Sequence, residues 1–171
     1  MFGRLKNKLS GSDRKVYGIC TTVYKIDDMS YERKRLYEEA QQLYDEVMLI
    51  DSRAVAYQLI RGQTEPIVEH HGRDISGLTA LHVRNYGDRG FSTAILTRVL
   101  EYCGCHISEP ARRFSVGRNS KLLTSFQRFK EGIGTTTLLA FDYANAMRLV
   151  ERMDQDDFFP LLAKPISGTH G

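Results

Sequence analysis

Between Ser30 and Ile50 the apolar residues Leu36, Ala40, Leu43, Val47 and Ile50 recur at spacings of four and three. That rhythm places them on one face of a helix, with Tyr37 and Tyr44 at its flank and Ser30 positioned as the N-cap. The stripe lasts about two heptads, short of the three or four that specify a coiled coil, so the expected use of this helix is to pack on a sheet. The rest of the chain must then supply strands.

Residues 16–26, VYGICTTVYKI, are rich in β-branched and aromatic types and read as a strand. A second, shorter helix is expected after Ser52, with Val55, Ala56, Leu59 and Ile60 inward and Gly62 at its C-terminal end. Two short strands follow, near Pro66–His70 and Leu78–Arg84, with His71-Gly72-Arg73-Asp74 as the turn between them. After the glycine-rich loop from Asn85 to Gly90, Ser92 caps a helix that turns Ile95, Leu96, Val99, Leu100 and Cys103 inward and stops at Gly104. Asn119 caps another, in which Leu122, Leu123, Phe126 and Phe129 share a face opposite Lys121 and Arg128, closed by Gly132. TTTLLAF at 135–141 is expected as a buried strand. A last helix from Asp142 to about Met153 buries Ala146, Met147, Leu149, Val150 and Met153.

This order mixes strands and helices without regular βαβ alternation, so the expected class is α+β, a single compact domain with a mixed or antiparallel sheet packed by amphipathic helices. At 171 residues, 42% of them hydrophobic, the chain can bury one core. The expected organisation is a basic N-terminal segment at 1–15, the domain at 16–159 and a tail at 160–171. Three cysteines, two of them separated by one residue, do not suggest a disulfide framework and point to a reducing, intracellular compartment. No apolar run approaches the length that spans a bilayer, so any membrane contact is expected to be peripheral.

The spacings needed for catalysis are missing. Cys103, Cys105 and His106, even with Cys20, His70 and His71, lack the paired-cysteine spacing of a zinc site, and the expectation is no metal and no cofactor. His82 or His106 beside a cysteine is the one route to a thiol enzyme, kept as a minor alternative. Gly132–Thr136 and Gly117–Lys121 lack the phosphate-loop spacing. Asp154, Asp156 and Asp157 lack the glycine and distal glutamate of a calcium loop. A non-enzymatic protein is expected.

Net charge is only +3, so its distribution carries the functional argument. If the first nine residues are helical, Phe2, Leu5 and Leu9 form an apolar side flanked by Arg4, Lys6 and Lys8, an arrangement suited to an anionic membrane surface. A second stretch, Arg112, Arg113, Arg118, Lys121, Arg128 and Lys130, contains no acid between 111 and 130 and suits nucleic acid or nucleoprotein. Pairing of these cations with Glu38, Glu39 or Asp45 is the alternative.

The layout of residues 16–62 resembles the matrix proteins of rhabdoviruses. A basic segment precedes a strand containing Thr21, Thr22 and Val23, then an amphipathic helix ending in Tyr44-Asp45-Glu46-Val47-Met48, then a second apolar helix expected at Ala54–Ile60. The resemblance implies a self-associating virion protein in the host cytoplasm or nucleus, peripheral to a membrane, that links that surface to a ribonucleoprotein. The proline-rich late-domain pattern of that family is missing here, so budding through it is not implied. The rival expectation from the same charge is a nucleic-acid-binding regulatory protein with no membrane role.

Overall fold

A computed structural model describes residues 14–23, 25–83, 90–109, 121–154 and 162. The chain is α+β, with two four-stranded sheets around a shared core. One sheet is wholly parallel, in the order β2-β1-β6-β7, from β1 (Val16–Cys20), β2 (Glu46–Ile50), β6 (Ala80–His82) and β7 (His106–Ile107). The other is antiparallel, in the order β5-β4-β3-β8, from β3 (Val55–Leu59), β4 (Ile67–His70), β5 (Arg73–Asp74) and β8 (Thr137–Ala140). Helices α1 (Tyr31–Leu43), α2 (Gly90–Tyr102), α3 (Lys121–Lys130) and α4 (Tyr143–Asp154) complete it.

Two expected helices are corrected. The first ends at Leu43, and Val47 and Ile50 belong to β2, paired in parallel with β1 from Val16↔Glu46 to Cys20↔Ile50. Neither glycine nor proline marks that break. Long-range contacts make it instead: the Asp45 carboxylate accepts from Lys15 N–H at 2.7 Å, while Asp45 N–H donates to the Lys15 carbonyl at 2.9 Å. The second expected helix is a 3-10 turn, Ser52–Ala54, followed by β3. All five β3 residues are buried, and a strand covered on both faces shows a continuous apolar run instead of an alternation.

Consequently β1-α1-β2 and β6-α2-β7 are both strand-helix-strand units with parallel strands, a local alternation that the sequence reading did not expect. Strand parity places their helices on opposite faces. Ile19, Leu49 and His82 share a row and therefore a face, and Ile19 and His82 line a pocket with Glu32, Arg35, Leu36 and Glu39 of α1. The next row points the other way, and Leu81 packs in the core with Ile95, Leu96, Val99 and Leu100 of α2. Gly18 leaves room in that row, because a Cβ there would stand 2.8 Å from both Ile50 Cδ1 and Leu81 Cδ1, and those buried side chains would have to shift.

The later helices follow the sequence more closely. Leu122, Phe126 and Phe129 of α3 are buried and Gly132 takes φ +71 beyond its end. In α4, Leu149 and Met153 are buried, whereas Met147 and Val150 remain 38% exposed. Strand β8 lies at the edge of its sheet with half-buried residues. Ser92 lies inside α2 rather than capping it.

Candidate functional site at the carboxyl edge of the parallel sheet

The strand order of the parallel sheet reverses between β1 and β6, with α1 leaving toward one face and α2 toward the other. The crevice outside the strand ends at such a reversal is the recurrent ligand position in open parallel sheets. Beyond β1, the Thr21 N–H donates to the Ile50 carbonyl at 2.9 Å, and the Thr21 hydroxyl accepts from Val23 N–H at 3.1 Å. Beyond β2, the Asp51 carboxylate accepts from Arg53 N–H at 3.0 Å and holds the 3-10 turn. That turn delivers Ser52, 1% exposed, to the first turn of α2, where its Oγ lies 2.8 Å from Ser92 Oγ and 3.0 Å from Thr93 Oγ1.

The antiparallel sheet walls the same edge. His70 Nε2 accepts from Asp51 N–H at 3.3 Å. Burial, reinforced by His71, pushes the His70 imidazole down to about 4, with Asp51 opposing the shift, so the ring is neutral around pH 7. His71 packs against it with the rings tilted by 58° and their centroids 4.3 Å apart. His71 and Gly72 have φ 50° and 80° and form the two-residue connection between β4 and β5, in which positive φ at both central positions matches the twist of the strands. Turn geometry accounts for that backbone. Arg148 of α4 reaches the turn while donating to Asn145 Oδ1 at 2.5 Å, and Asn145 is held by Asp142.

On the α1 side, the crevice opens into a pocket of about 400 Å³ that carries Glu32, Arg33, Arg35, Glu39 and His82 over a floor of Ile19 and Leu36. Both signs of charge face one cavity. Asp51, Ser52 and His70 include the residue types of a hydrolytic triad, but the His70 acceptor is occupied by a backbone N–H and the serine by other hydroxyls. Cys20 is one residue out of phase with His82 in the strand register and packs partly against the core, although both residues line this pocket. Burial, with Cys103 adding to it, pushes the Cys105 thiol up to about 12, which keeps it protonated. Among the described residues no group of three or more His, Cys, Asp or Glu is arranged to hold a metal.

Of the residues singled out from the sequence, Phe2, Arg4, Leu5, Lys6, Lys8, Leu9, Arg112, Arg113 and Arg118 lie outside the described residues. Lys121, Arg128 and Lys130 all fall on α3 but serve different ends. Lys121 Nζ is buried with no hydrogen-bond partner among the described residues. Arg128 is exposed, and Lys130 sits over the Tyr102 and Phe126 rings at 5.6 and 5.9 Å from their centroids. Among the described residues, none of these three cations is ion-paired with Glu38, Glu39 or Asp45. Among the described residues, the ion pairs join Glu46 to Arg14 and Arg73, Asp27 to Lys34 and Glu69 to Arg152. Among the same residues, no helix is long and apolar enough to cross a membrane.

Asp51, Ser52, Ser92 and Thr93 were not legible as a group. The available signal was the pair Asp51-Ser52 directly after the apolar run 46–50, and nothing local ties it to Ser92 and Thr93 in the first turn of α2. The chain matches no protein-family model, no curated protein and no solved structure.

Proposed function

We propose that this chain is a small-molecule-binding domain that takes a charged metabolite of the amino-acid class at the carboxyl edge of its parallel sheet. The observation that carries the reading is the reversal of strand order between β1 and β6, with a pocket opening beside Ile19 and His82. A cavity of about 400 Å³ suits a small ligand. Two guanidinium groups and two carboxylates at its wall suit a ligand with both a carboxylate and an ammonium group. The test is titration of isotope-labelled protein with free amino acids and dicarboxylates, followed by amide NMR. Shifts are expected at Cys20–Val23, Glu32–Leu36 and His82, with affinity lowered roughly tenfold by Arg35→Ala. Shifts confined to other surfaces, or none at millimolar ligand, would refute it.

A second reading, the matrix-like assembly protein, is supported by the exposed Arg128 and by Lys130, neither of which is matched to a carboxylate among the described residues. It requires binding to anionic liposomes that is lost on deletion of residues 1–10. Unchanged co-sedimentation of the shortened chain removes its membrane half.

A further inference from the structure

A second cavity lies away from the carboxyl edge, in the groove between the last turns of α2 and the length of α3, with a volume of about 600 Å³. Its charged rim consists of Arg98 and Glu101 from α2 and Arg128 and Lys130 from α3, with Tyr102 and Phe126 behind them. The two rings meet edge to face, with centroids 5.5 Å apart and an interplanar angle of 88°. They form a rigid apolar backing over which Lys130 is held.

Three cations face one carboxylate. Among the described residues, neither Arg98 nor Arg128 has an ion-pair partner, and Arg98 Nε is buried with no hydrogen-bond partner. The partial negative charge at helix C-termini accounts for cations in the last turn of α3. It does not account for a guanidinium N–H withdrawn from water and left without an acceptor, which costs free energy until one arrives. A half-enclosed groove with one sign of charge also concentrates the opposite ion.

We propose that the α2–α3 groove is a binding site for a phosphate-bearing small molecule, with Arg98 and Arg128 taking the phosphate oxygens. The planar guanidinium offers paired N–H donors matched to an oxyanion, and the buried Arg98 Nε–H is the donor that lacks a partner in the free protein. Lys130 supplies a further charge at the mouth. The Tyr102–Phe126 backing accommodates an apolar or ring portion of the ligand.

Inorganic pyrophosphate is the probe, observed through the side-chain Nε–Hε resonance of Arg98 and the amides of Glu101, Tyr102, Gln127 and Arg128. Saturable shifts of these signals are expected, with affinity lowered roughly tenfold in Arg128→Gln, which removes an exposed charge and leaves the core intact. Arg98→Lys keeps the charge and removes the fork, and is expected to weaken binding at least as much. Three results overturn the proposal: an unmoved Arg98 resonance at millimolar pyrophosphate, the same shifts from sodium chloride at equal ionic strength, or saturation by a single-stranded oligonucleotide but not by pyrophosphate. The last would assign the groove to nucleic acid. Shifts at Cys20–Val23 belong to the other cavity and are read separately.

Discussion

Acidification below pH 6.5 is expected to destabilise the fold through His70. His70 is 7% exposed, and its ring accepts a hydrogen bond from Asp51 N–H through Nε2 and lies against His71 with Arg148 in electrostatic range. Protonation would turn that acceptor into a donor facing another donor. The unfolded imidazole titrates near 6.5 and the folded one near 4. Between those values the unfolded chain binds more protons than the folded chain, so stability falls as pH drops through this window and levels off below it. The whole gap corresponds to about 3 kcal/mol, at roughly 1.4 kcal/mol per pH unit, and screening at the exposed His71 edge reduces the expectation to about 2 kcal/mol. Urea unfolding of the wild type and His70→Gln at pH 7.5, 6.5, 5.5 and 4.5 measures it. The glutamine can still accept from Asp51 N–H but does not titrate. The wild type should lose its advantage over the variant progressively with acid. A difference constant to within about 0.5 kcal/mol across that range would refute the reasoning, because the linkage requires a slope.

Three further substitutions test the packing that positions the two cavities. Gly18→Ala forces a methyl group against Ile50 and Leu81 and is expected to cost about 1–3 kcal/mol in urea unfolding. Ser52→Ala removes the hydroxyl shared with Ser92 and Thr93, and should cost about 1–2 kcal/mol, lowering the melting temperature by roughly 2–8 °C. Asp142→Ala removes the carboxylate that accepts from Asn145 N–H at 2.7 Å and from the Asn145 side chain. Loss of this cap is expected to cost about 1 kcal/mol, with faster amide exchange in the first turn of α4.

Local chemistry announced several elements. Gly104 and Gly132 adopt φ +90 and +71 where helices α2 and α3 were expected to stop. The apolar face of α3 is buried as its periodicity requires, through Leu122, Phe126 and Phe129. Asp142, expected at the start of the last helix, accepts from the backbone of Asn145. These features depend on residues within a turn or two of each other, so the sequence carries their full specification. The α+β class was legible from a mixture of β-rich and amphipathic stretches without regular βαβ alternation.

Tertiary structure decided the rest. Leu43, Val47 and Ile50 satisfy helical spacing, yet pairing with β1 and the Lys15–Asp45 contacts draw Glu46–Ile50 into a strand. VAYQL fits either conformation and becomes β3 because both neighbouring strands and both faces are covered. From those two conversions come the parallel sheet, its reversal between β1 and β6, and the meeting of Asp51 and Ser52 with Ser92 and His70. The α2–α3 groove is likewise a product of packing. Arg98 and Arg128 are thirty residues apart, and nothing local to either says that they share a cavity. The sequence by itself determined which segments can be amphipathic and where helices must end, since those are short-range properties of backbone and periodicity. Which apolar runs pair as strands, and therefore which polar residues converge, rests on contacts between distant segments, whose strength exceeds the small differences in local preference.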